Sequence, residues 1–205
     1  ISAISHEFKN PIAIISGYSE TILNDEQMPQ PMKIRFLKKI YSNANKMSQI
    51  VDKLRLTLKL EEGKQELILI PCSMKKLIIT CISDLKDKYK NREILIQGDD
   101  ITLKVDETLI SMAISNLIEN ALKYSEDEII VNISDKSITV IDKGIGIEEK
   151  ELEKINKKFY RVSDNGWNNS LGLGLFIVQS VLSLHNFSLL IDSEFKKGSQ
   201  FSINY

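Results

Sequence analysis

Four short groups of residues along this chain have types and spacings that could carry chemistry. The first group is His6, Glu7, Asn10 and Pro11, on a segment with helical period. His6 lies off the apolar stripe of that segment, and a neutral imidazole nitrogen is a good nucleophile near neutral pH. Glu7 is placed to take a proton from the ring or to orient it, and Asn10 lies one turn beyond His6 on the same face. Taken alone, His6 is more often an ordinary surface histidine, so this group depends on the other three.

The second group is Asn116, Asn120, Lys123 and Tyr124, which recur at helical spacing. The side-chain carbonyl of Asn120 offers a hard oxygen of the kind that Mg²⁺ prefers, and Mg²⁺ takes few protein ligands because it keeps phosphates and waters. Lys123 follows about one turn later and could meet a phosphate. The group predicts a helix that faces a metal-bound phosphate.

The third group, Asp142, Gly144, Gly146 and Ile147, follows a predicted strand. Its glycines allow tight turns and close approach of the backbone to a ligand. Asp142 could accept a hydrogen bond from an adenine amino group. An isolated pattern of this kind is weak evidence, because a plain glycine turn explains it equally well.

The fourth group is Leu171, Gly172, Leu173 and Gly174, at the predicted start of a helix. Free N–H groups and the helix dipole at such a start favour phosphate. Residues 162–169, between the third and fourth groups, are rich in polar side chains. That composition is suited to a lid that closes over a nucleotide.

Composition limits the classes of protein to which the chain can belong. It has 205 residues, is 42% hydrophobic and 27% charged, and has a formal net charge of -1. No strong positive field selects nucleic acid, and the basic cluster 33–39 is expected to be a solvated helix face. Cys72 and Cys81 predict neither a disulfide framework nor a zinc site, which favours a reducing, cytosolic setting. No apolar run reaches the ~20 residues needed to cross a bilayer, and no signal peptide is recognised.

The first 63 residues predict a helical hairpin. Two segments place apolar residues at alternating steps of three and four, as in bundled helices, on either side of a proline-bearing turn at 24–31. The stripes consist of Ile4, Phe8, Pro11, Ile15, Tyr18 and Ile22, and of Leu37, Tyr41, Ala44, Met47, Val51, Leu54 and Leu58. One hairpin buries little surface, so we expect two hairpins to pair as a four-helix bundle in a homodimer. The alternative is that the stripes pack on the rest of the chain.

Residues 64–205 form the second predicted domain. The expected strands are 67–70, 94–96, 101–105, 129–133, 137–141, 188–192 and 200–204, and the expected helices are 73–90, 106–124, 148–156 and 172–184. This mixture predicts an α+β fold in which helices cover one face of a mixed sheet.

Together these groups resemble the sensor histidine kinases of two-component systems. Residues 6–11 are similar to the family's H box, 116–124 to its N box and 142–147 to its G1 box, while 155–161 and 170–175 are similar to its F and G2 boxes. The similarity covers nearly the whole chain, and all boxes occur in the family's order. It implies a dimerisation and phosphotransfer hairpin (1–63) followed by a catalytic domain (64–205), an α/β sandwich of the Bergerat ATP-binding type.

The resemblance also implies roles for individual residues. His6 would accept phosphoryl from Mg-ATP, with Glu7 as candidate base, and would pass it to an aspartate in the receiver domain of a response regulator. Asn120 would bind Mg²⁺ and Asp142 the adenine, and Asn10 would orient water if the protein also dephosphorylates its regulator. The remaining nucleotide-site residues would be Asn116, Lys123, Tyr124, Gly144, Gly146, Ile147, Phe159, Arg161, Leu171, Gly172, Leu173 and Gly174. The full protein is expected to be anchored in the inner membrane through segments upstream of this cytoplasmic part.

The chain departs from the family pattern at a few positions. Asn156 stands where the first F-box phenylalanine is expected, and Lys157 stands where an acidic residue is common. Ser170 replaces the first glycine of the G2 box, and His185-Asn186 replaces a more glycine-rich turn. We expect these changes to affect lid packing and ATP affinity.

Two other functions were weighed against a kinase. Related ATPases such as gyrase carry a glutamate four residues before the Mg²⁺ asparagine to activate water, whereas this chain has Asn116 there, which argues against efficient ATP hydrolysis. A dimeric signalling scaffold that does not turn over ATP is favoured only by Asn156 and Ser170. The presence of His6, Asn120 and Asp142 favours the kinase.

Overall fold

The computed structural model describes residues 2–63, 65–86, 88–162 and 171–205. Contacts divide the chain into two compact units, one that contains the described residues up to Lys59 and one that contains most of the remainder. The first unit is the predicted helical hairpin. The second is the predicted α+β domain, with a mixed sheet and packed helices.

The hairpin consists of α1 (Ser2–Asn24) and α2 (Gln30–Glu61). Asp25 closes the connecting turn, because its carboxylate accepts the Gln27 N–H at 3.1 Å. The turn is shorter than predicted, since Pro31 lies in the first turn of α2, where a missing N–H costs nothing. The rings of Tyr18 and Phe36 lie 4.7 Å apart and join the two helices.

The apolar stripe of α2 is only partly covered within the hairpin. Four of its seven members are large and at least half exposed: Leu37 (50%), Tyr41 (69%), Val51 (51%) and Leu58 (59%). The predicted stripe members of α1 are all buried or half-buried. The hairpin therefore presents an apolar strip along α2 at its surface.

The second unit contains two sheets. A two-stranded antiparallel sheet pairs β1 (Ile70–Ser73) with β3 (Thr102–Val105). The larger sheet has the order β2-β4-β5-β7-β6, in which β2 and β4 are parallel and the other pairs antiparallel. Its strands are β2 (Ile94–Gln97), β4 (Ile129–Ile133), β5 (Ser137–Asp142), β6 (Ser188–Glu194) and β7 (Gly198–Asn204).

Three helices enclose the core of this unit. They are α3 (Met74–Lys86), α4 (Glu107–Tyr124) and α6 (Gly174–Leu184), and α4 packs against both of the others. Ile114, Leu117 and Ile118 of α4 are completely buried, as are Ile177 and Val178 of α6. The helical period in the sequence therefore reports the packing of these helices correctly.

Several predicted elements differ from the observed ones. The first strand is Ile70–Ser73 rather than 67–70, and Ser73 also caps α3 by accepting the Lys76 N–H at 3.2 Å. The strands flanking Gly98 do not pair with each other, because β2 and β3 belong to different sheets. The predicted helix 148–156 contains only α5 (Glu149–Leu152). Lys154 and Lys157 then donate to carbonyls three residues back, the pattern of a tight turn rather than an α-helix.

Helix α6 is followed by His185-Asn186 and not by the glycine-rich turn of the family pattern. Asn186 adopts a positive φ of 58°, which asparagine tolerates better than most residues. The Asn186 N–H donates to the Ser183 carbonyl and the Phe187 N–H to the Leu182 carbonyl. These are the two hydrogen bonds of a Schellman cap. His185 is buried; its Nδ1 lies 2.8 Å from the Val181 carbonyl oxygen, and its Nε2 accepts the Asp106 N–H at 3.0 Å. His185 thereby fastens the end of α6 to the start of α4.

Candidate active site

Helix α4 carries the asparagines of the predicted site. Asp106 caps it by accepting the Leu109 N–H at 3.1 Å, and Lys123 occupies its last turn, where a cation suits the helix dipole. Asn116 is buried, and its amide nitrogen donates to the Met112 carbonyl at 2.8 Å. Its amide oxygen is thereby turned away from the helix backbone.

The first turn of α6 meets these asparagines. A Cβ on Gly174 would lie 3.2 Å from Oδ1 of Asn116 and 4.0 Å from Oδ1 of Asn120, so the glycine lets the two helices approach. The N-cap residue of α6 is Leu173, which has no side-chain acceptor to offer the free N–H groups of the first turn. The backbone N–H groups of this first turn and the side-chain oxygens of Asn116 and Asn120 therefore lie close together, around Gly174.

Asp142 is the last residue of β5. It is 6% exposed, and burial raises the pKa of its carboxyl, while hydrogen bonds from the backbone N–H groups of Gly144 and Ser199 act in the opposite direction. The Gly144 N–H bond to Oδ1 measures 2.8 Å. One carboxylate oxygen is thus fixed by the loop that follows β5.

That loop packs closely on the end of α4. A Cβ on Gly144 would overlap the Tyr124 carbonyl oxygen, and the same oxygen accepts the Ile145 N–H at 3.1 Å. Gly146 has a φ of +62° and lies directly against the backbone of Glu194. Glycine is required at both positions, because a side chain would collide with main-chain atoms.

The segment before α6 is anchored by the predicted F box. Phe159 has a positive φ of 63°, and its N–H donates to the Gly172 carbonyl at 3.0 Å. Gly172 has a φ of +66°, and a Cβ there would lie 2.6 Å from the Tyr160 carbonyl oxygen. Lys158 lies 5.2 Å from the centroid of the Phe176 ring on α6. Leu171 and Leu173 are buried, and Arg161 is half-buried.

Lys123 is placed differently from the other predicted residues. Its ammonium lies 3.5 Å from Glu119, which also interacts with Lys88 and with the Tyr89 hydroxyl at 3.4 Å. Glu119 thus lies on the flank of α4 that faces the end of α3, as its position next to Asn120 predicts. Its charge, together with burial, raises the pKa of Tyr89.

The hairpin unit holds the remaining predicted residues. His6 and Asn10 are exposed on α1, one turn apart, whereas Glu7 between them is only 6% exposed. Pro11 is buried and lies inside the helix. The imidazole of His6 is therefore accessible to a reactant.

Two family models match the chain. The model of the His Kinase A (phospho-acceptor) domain matches residues 1–63. The model described as histidine kinase-, DNA gyrase B-, and HSP90-like ATPase matches residues 105–205. The chain belongs to the sensor histidine kinase family.

Individual relatives agree with this assignment. The phosphate regulon sensor protein PhoR of Pseudomonas aeruginosa is 32% identical over the whole chain and over 49% of its own length. The histidine kinase AdeS of Acinetobacter baumannii has the same fold, with a TM-score of 0.73, 19% identity and 97% of each chain covered. The histidine kinase ThkA, solved in complex with the response regulator protein TrrA, gives a TM-score of 0.68 at 21% identity over 98% of this chain and 59% of that one. The chain spans about half the length of the curated relatives it matches.

The residues around Gly174 would fit Mg²⁺ and a nucleotide. Among the described residues there is no group of three or more histidine, cysteine or acidic side chains that could hold a metal ion on its own. Mg²⁺ with a nucleotide does not need such a group, since phosphates and waters complete its coordination around one or two protein oxygens. The Asn120 oxygen beside the first turn of α6 meets that requirement.

Two of the positions at which the chain departs from the family pattern are Ser170 and Asn156. Ser170 and residues 163–169 of the predicted lid lie outside the described residues. At the departing F-box position, the Asn156 oxygen is buried and has no hydrogen-bond partner within the described parts of the chain. A phenylalanine there would leave no such oxygen unsatisfied, so Asn156 destabilises this turn.

Sequence reasoning missed the contribution of β7. Ser199 is paired with Asp142 and holds its carboxylate through the backbone N–H. Gly198 has a φ of +118° and packs against the Asp142 carbonyl. The available signal was the Gly198-Ser199 pair just before the last predicted strand, where a glycine in a strand indicates close approach of another backbone.

Proposed function

We propose that this chain is the catalytic core of a sensor histidine kinase that transfers the γ-phosphoryl group of Mg-ATP to His6 within its dimer. The observation that carries the proposal is the meeting of Asn116, Asn120 and the uncapped first turn of α6 around Gly174. Amide oxygens there suit Mg²⁺, and free N–H groups suit phosphate. Asp142, with one oxygen fixed by Gly144, suits the amino group of adenine.

In the proposed reaction the neutral imidazole of His6 attacks the γ-phosphorus. A nitrogen–phosphorus bond forms, the bond from phosphorus to the β–γ bridging oxygen breaks, and ADP leaves. Glu7, next to His6, orients the ring or takes the proton from its other nitrogen. The protein needs to supply mainly positioning and charge neutralisation, and Mg²⁺ held at Asn120 supplies part of the latter.

The proposal includes a homodimer through the hairpin. The exposed Leu37, Tyr41, Val51 and Leu58 form a strip along α2 that a second hairpin would cover in a four-helix bundle. Burying large apolar side chains drives such association. The match of the hairpin to the phospho-acceptor domain supports this arrangement.

We further propose that phospho-His6 donates its phosphoryl group to an aspartate of a response regulator. ThkA, of the same fold, was solved with the response regulator protein TrrA, which supports a partner of this class. Asn10, exposed one turn from His6, would orient water for hydrolysis of the regulator's phosphoaspartate. No helix among the described residues is long and apolar enough to cross a bilayer. A cytoplasmic location, with anchoring in the inner membrane by other parts of the protein, belongs to the proposal.

The proposal is tested by labelling the chain with γ-phosphate-tagged ATP and Mg²⁺, and by comparing it with His6→Gln. We expect label that is labile in acid, stable in alkali and absent from the variant, as for a phosphoramidate. Label on His6→Gln, or alkali-labile label, would assign the phosphoryl group to another residue. ATP binding without labelling would favour the signalling scaffold.

A further inference from the structure

The hydroxyl of Ser193, at the end of β6, lies where three segments of the catalytic domain meet. Its oxygen accepts the Ile147 N–H at 2.9 Å and donates to the Gly198 carbonyl at 2.9 Å. It also lies 2.9 Å from the Ser199 hydroxyl. One side chain of β6 thus bonds the loop after β5, through Ile147, and the first two residues of β7, Gly198 and Ser199.

The three contacts use the whole hydrogen-bonding capacity of the Ser193 hydroxyl. Serine has one O–H donor and two acceptor lone pairs. If its proton is donated to Gly198, the two lone pairs accept from the Ile147 N–H and the Ser199 hydroxyl. Replacing the oxygen by hydrogen would therefore remove three bonds at once and leave the Ile147 N–H without this acceptor.

The turn between β6 and β7 holds the same loop by its backbone. The Lys196 N–H donates to the Ile145 carbonyl at 2.7 Å, and Gly146 lies against the Glu194 backbone. On the opposite side the loop is fixed by the end of α4, where the Tyr124 carbonyl accepts the Ile145 N–H. The loop 143–147 is thus clamped between α4 and the β6–β7 hairpin, and Ser193 is the side chain that ties its last residue.

We propose that Ser193 is a positioning residue for the nucleotide site. Through Ile147 it sets the path of the loop 143–147, and through Ser199 it supports the strand whose N–H holds the Asp142 carboxylate. This inference rests on the proposed function, because Asp142 and Ile147 act on a nucleotide only if the site binds one. Ser193 itself does not need to touch the ligand.

Two measurements on the intact chain test the proposal with ATP and Mg²⁺ as the probe. Ser193→Ala is compared with Ser193→Thr, which keeps the hydroxyl, and with Ser202→Ala. Ser202 is a matched control, because its buried hydroxyl also bonds a hydroxyl across two strands, that of Thr139 at 3.0 Å. The measurements are amide hydrogen exchange at Ile147 and the ATP dependence of His6 labelling.

We expect Ser193→Ala to speed exchange at the Ile147 amide and to weaken ATP binding about tenfold, with the labelling rate at saturating ATP within about twofold of wild type. Ser193→Thr should restore both values, and Ser202→Ala should change neither. Unchanged exchange at Ile147 in Ser193→Ala would overturn the inference, as would faster exchange with wild-type ATP affinity. An equal loss of ATP affinity in Ser202→Ala would overturn the inference as well, because Ser193 would then only stabilise the domain, as Ser202 does. If the wild-type chain failed to bind ATP, the proposed function would fail first and this inference with it.

Discussion

Replacing Asp142 by asparagine gives the sharpest test of the nucleotide site. The Asp142 carboxylate accepts the Gly144 N–H at Oδ1 (2.8 Å) and also the Ser199 N–H, and its remaining lone pairs are available to the adenine amino group of the proposed nucleotide. In Asp142→Asn the two lone pairs of the amide oxygen can serve these backbone donors, and the NH₂ group then faces the adenine amino group, donor against donor. The change removes one charge-assisted hydrogen bond and adds an unsatisfied donor, which together cost about 3 kcal/mol, or about 100-fold in ATP affinity.

The assay is a titration with ATP and Mg²⁺, accompanied by thermal unfolding without nucleotide. Because burial raises the pKa of Asp142, its ionised form costs stability at neutral pH, so Asp142→Asn should unfold at the same temperature as wild type or higher. Asp192→Asn, at an exposed position on β6, serves as the control and should bind normally. Wild-type affinity in Asp142→Asn would refute the adenine assignment. Lost affinity with a lower unfolding temperature would mean only that the loop had collapsed.

Four further predictions concern other residues and pH. Asn120→Asp should slow His6 labelling severely by altering the Mg²⁺ ligand, and a wild-type labelling rate would remove that assignment. Asn10→Ala should keep kinase activity but slow dephosphorylation of a purified regulator; equal rates of dephosphorylation would contradict its role. His185→Ala should cost about 2 kcal/mol in urea unfolding, because the Asp106 N–H loses its acceptor, and a loss under about 0.5 kcal/mol would be inconsistent with the fastening of α6 to α4. The raised pKa of Asp142 favours its protonated form, so ATP affinity should fall on acidification at a higher pH than it would with an ordinary aspartate. Over the same pH range, the chain without nucleotide should gain stability relative to Asp142→Asn.

The long helices and the β4–β5 hairpin were predictable because burial imposes a clear period on them. In α4, Ile114 follows Ile110 by four residues, and Leu117 and Ile118 follow Ile114 by three and four; all four are buried. The short elements were less predictable. The segment 148–156 has helix-forming residues, but the Lys154 N–H bonds three residues back and the Ile155 N–H four residues back, both to the Glu151 carbonyl, and no local preference specifies this mixed pattern. Which strands pair is also invisible in a single sequence, since β2 and β3 look like neighbours and join different sheets.

The candidate site was predictable to the extent that its residues are contiguous. Asn116 and Asn120 share a helix face by spacing alone, whereas only the family resemblance assigned them and Gly174 to one nucleotide site. The ion pair of Lys123 with Glu119 could also have been predicted, because opposite charges four residues apart are neighbours on a helix. The support from Ser193 was missed because its partners, Ile147 and Ser199, lie 46 residues before it and 6 after it. A hydroxyl in a strand gives no signal of such bonds in sequence.

The leucine at the start of α6 has a thermodynamic consequence. Most helices close their N-terminus with a side chain of their own, whereas α6 has Leu173 in that position and must take its acceptors from elsewhere. Phosphate oxygens of the proposed nucleotide would be those acceptors. Because α6 is already helical from Gly174, they would meet N–H groups that are already aligned, and no binding energy would be spent on forming the turn. The entropy cost of arranging these donors is then met when the domain folds and not when the nucleotide binds.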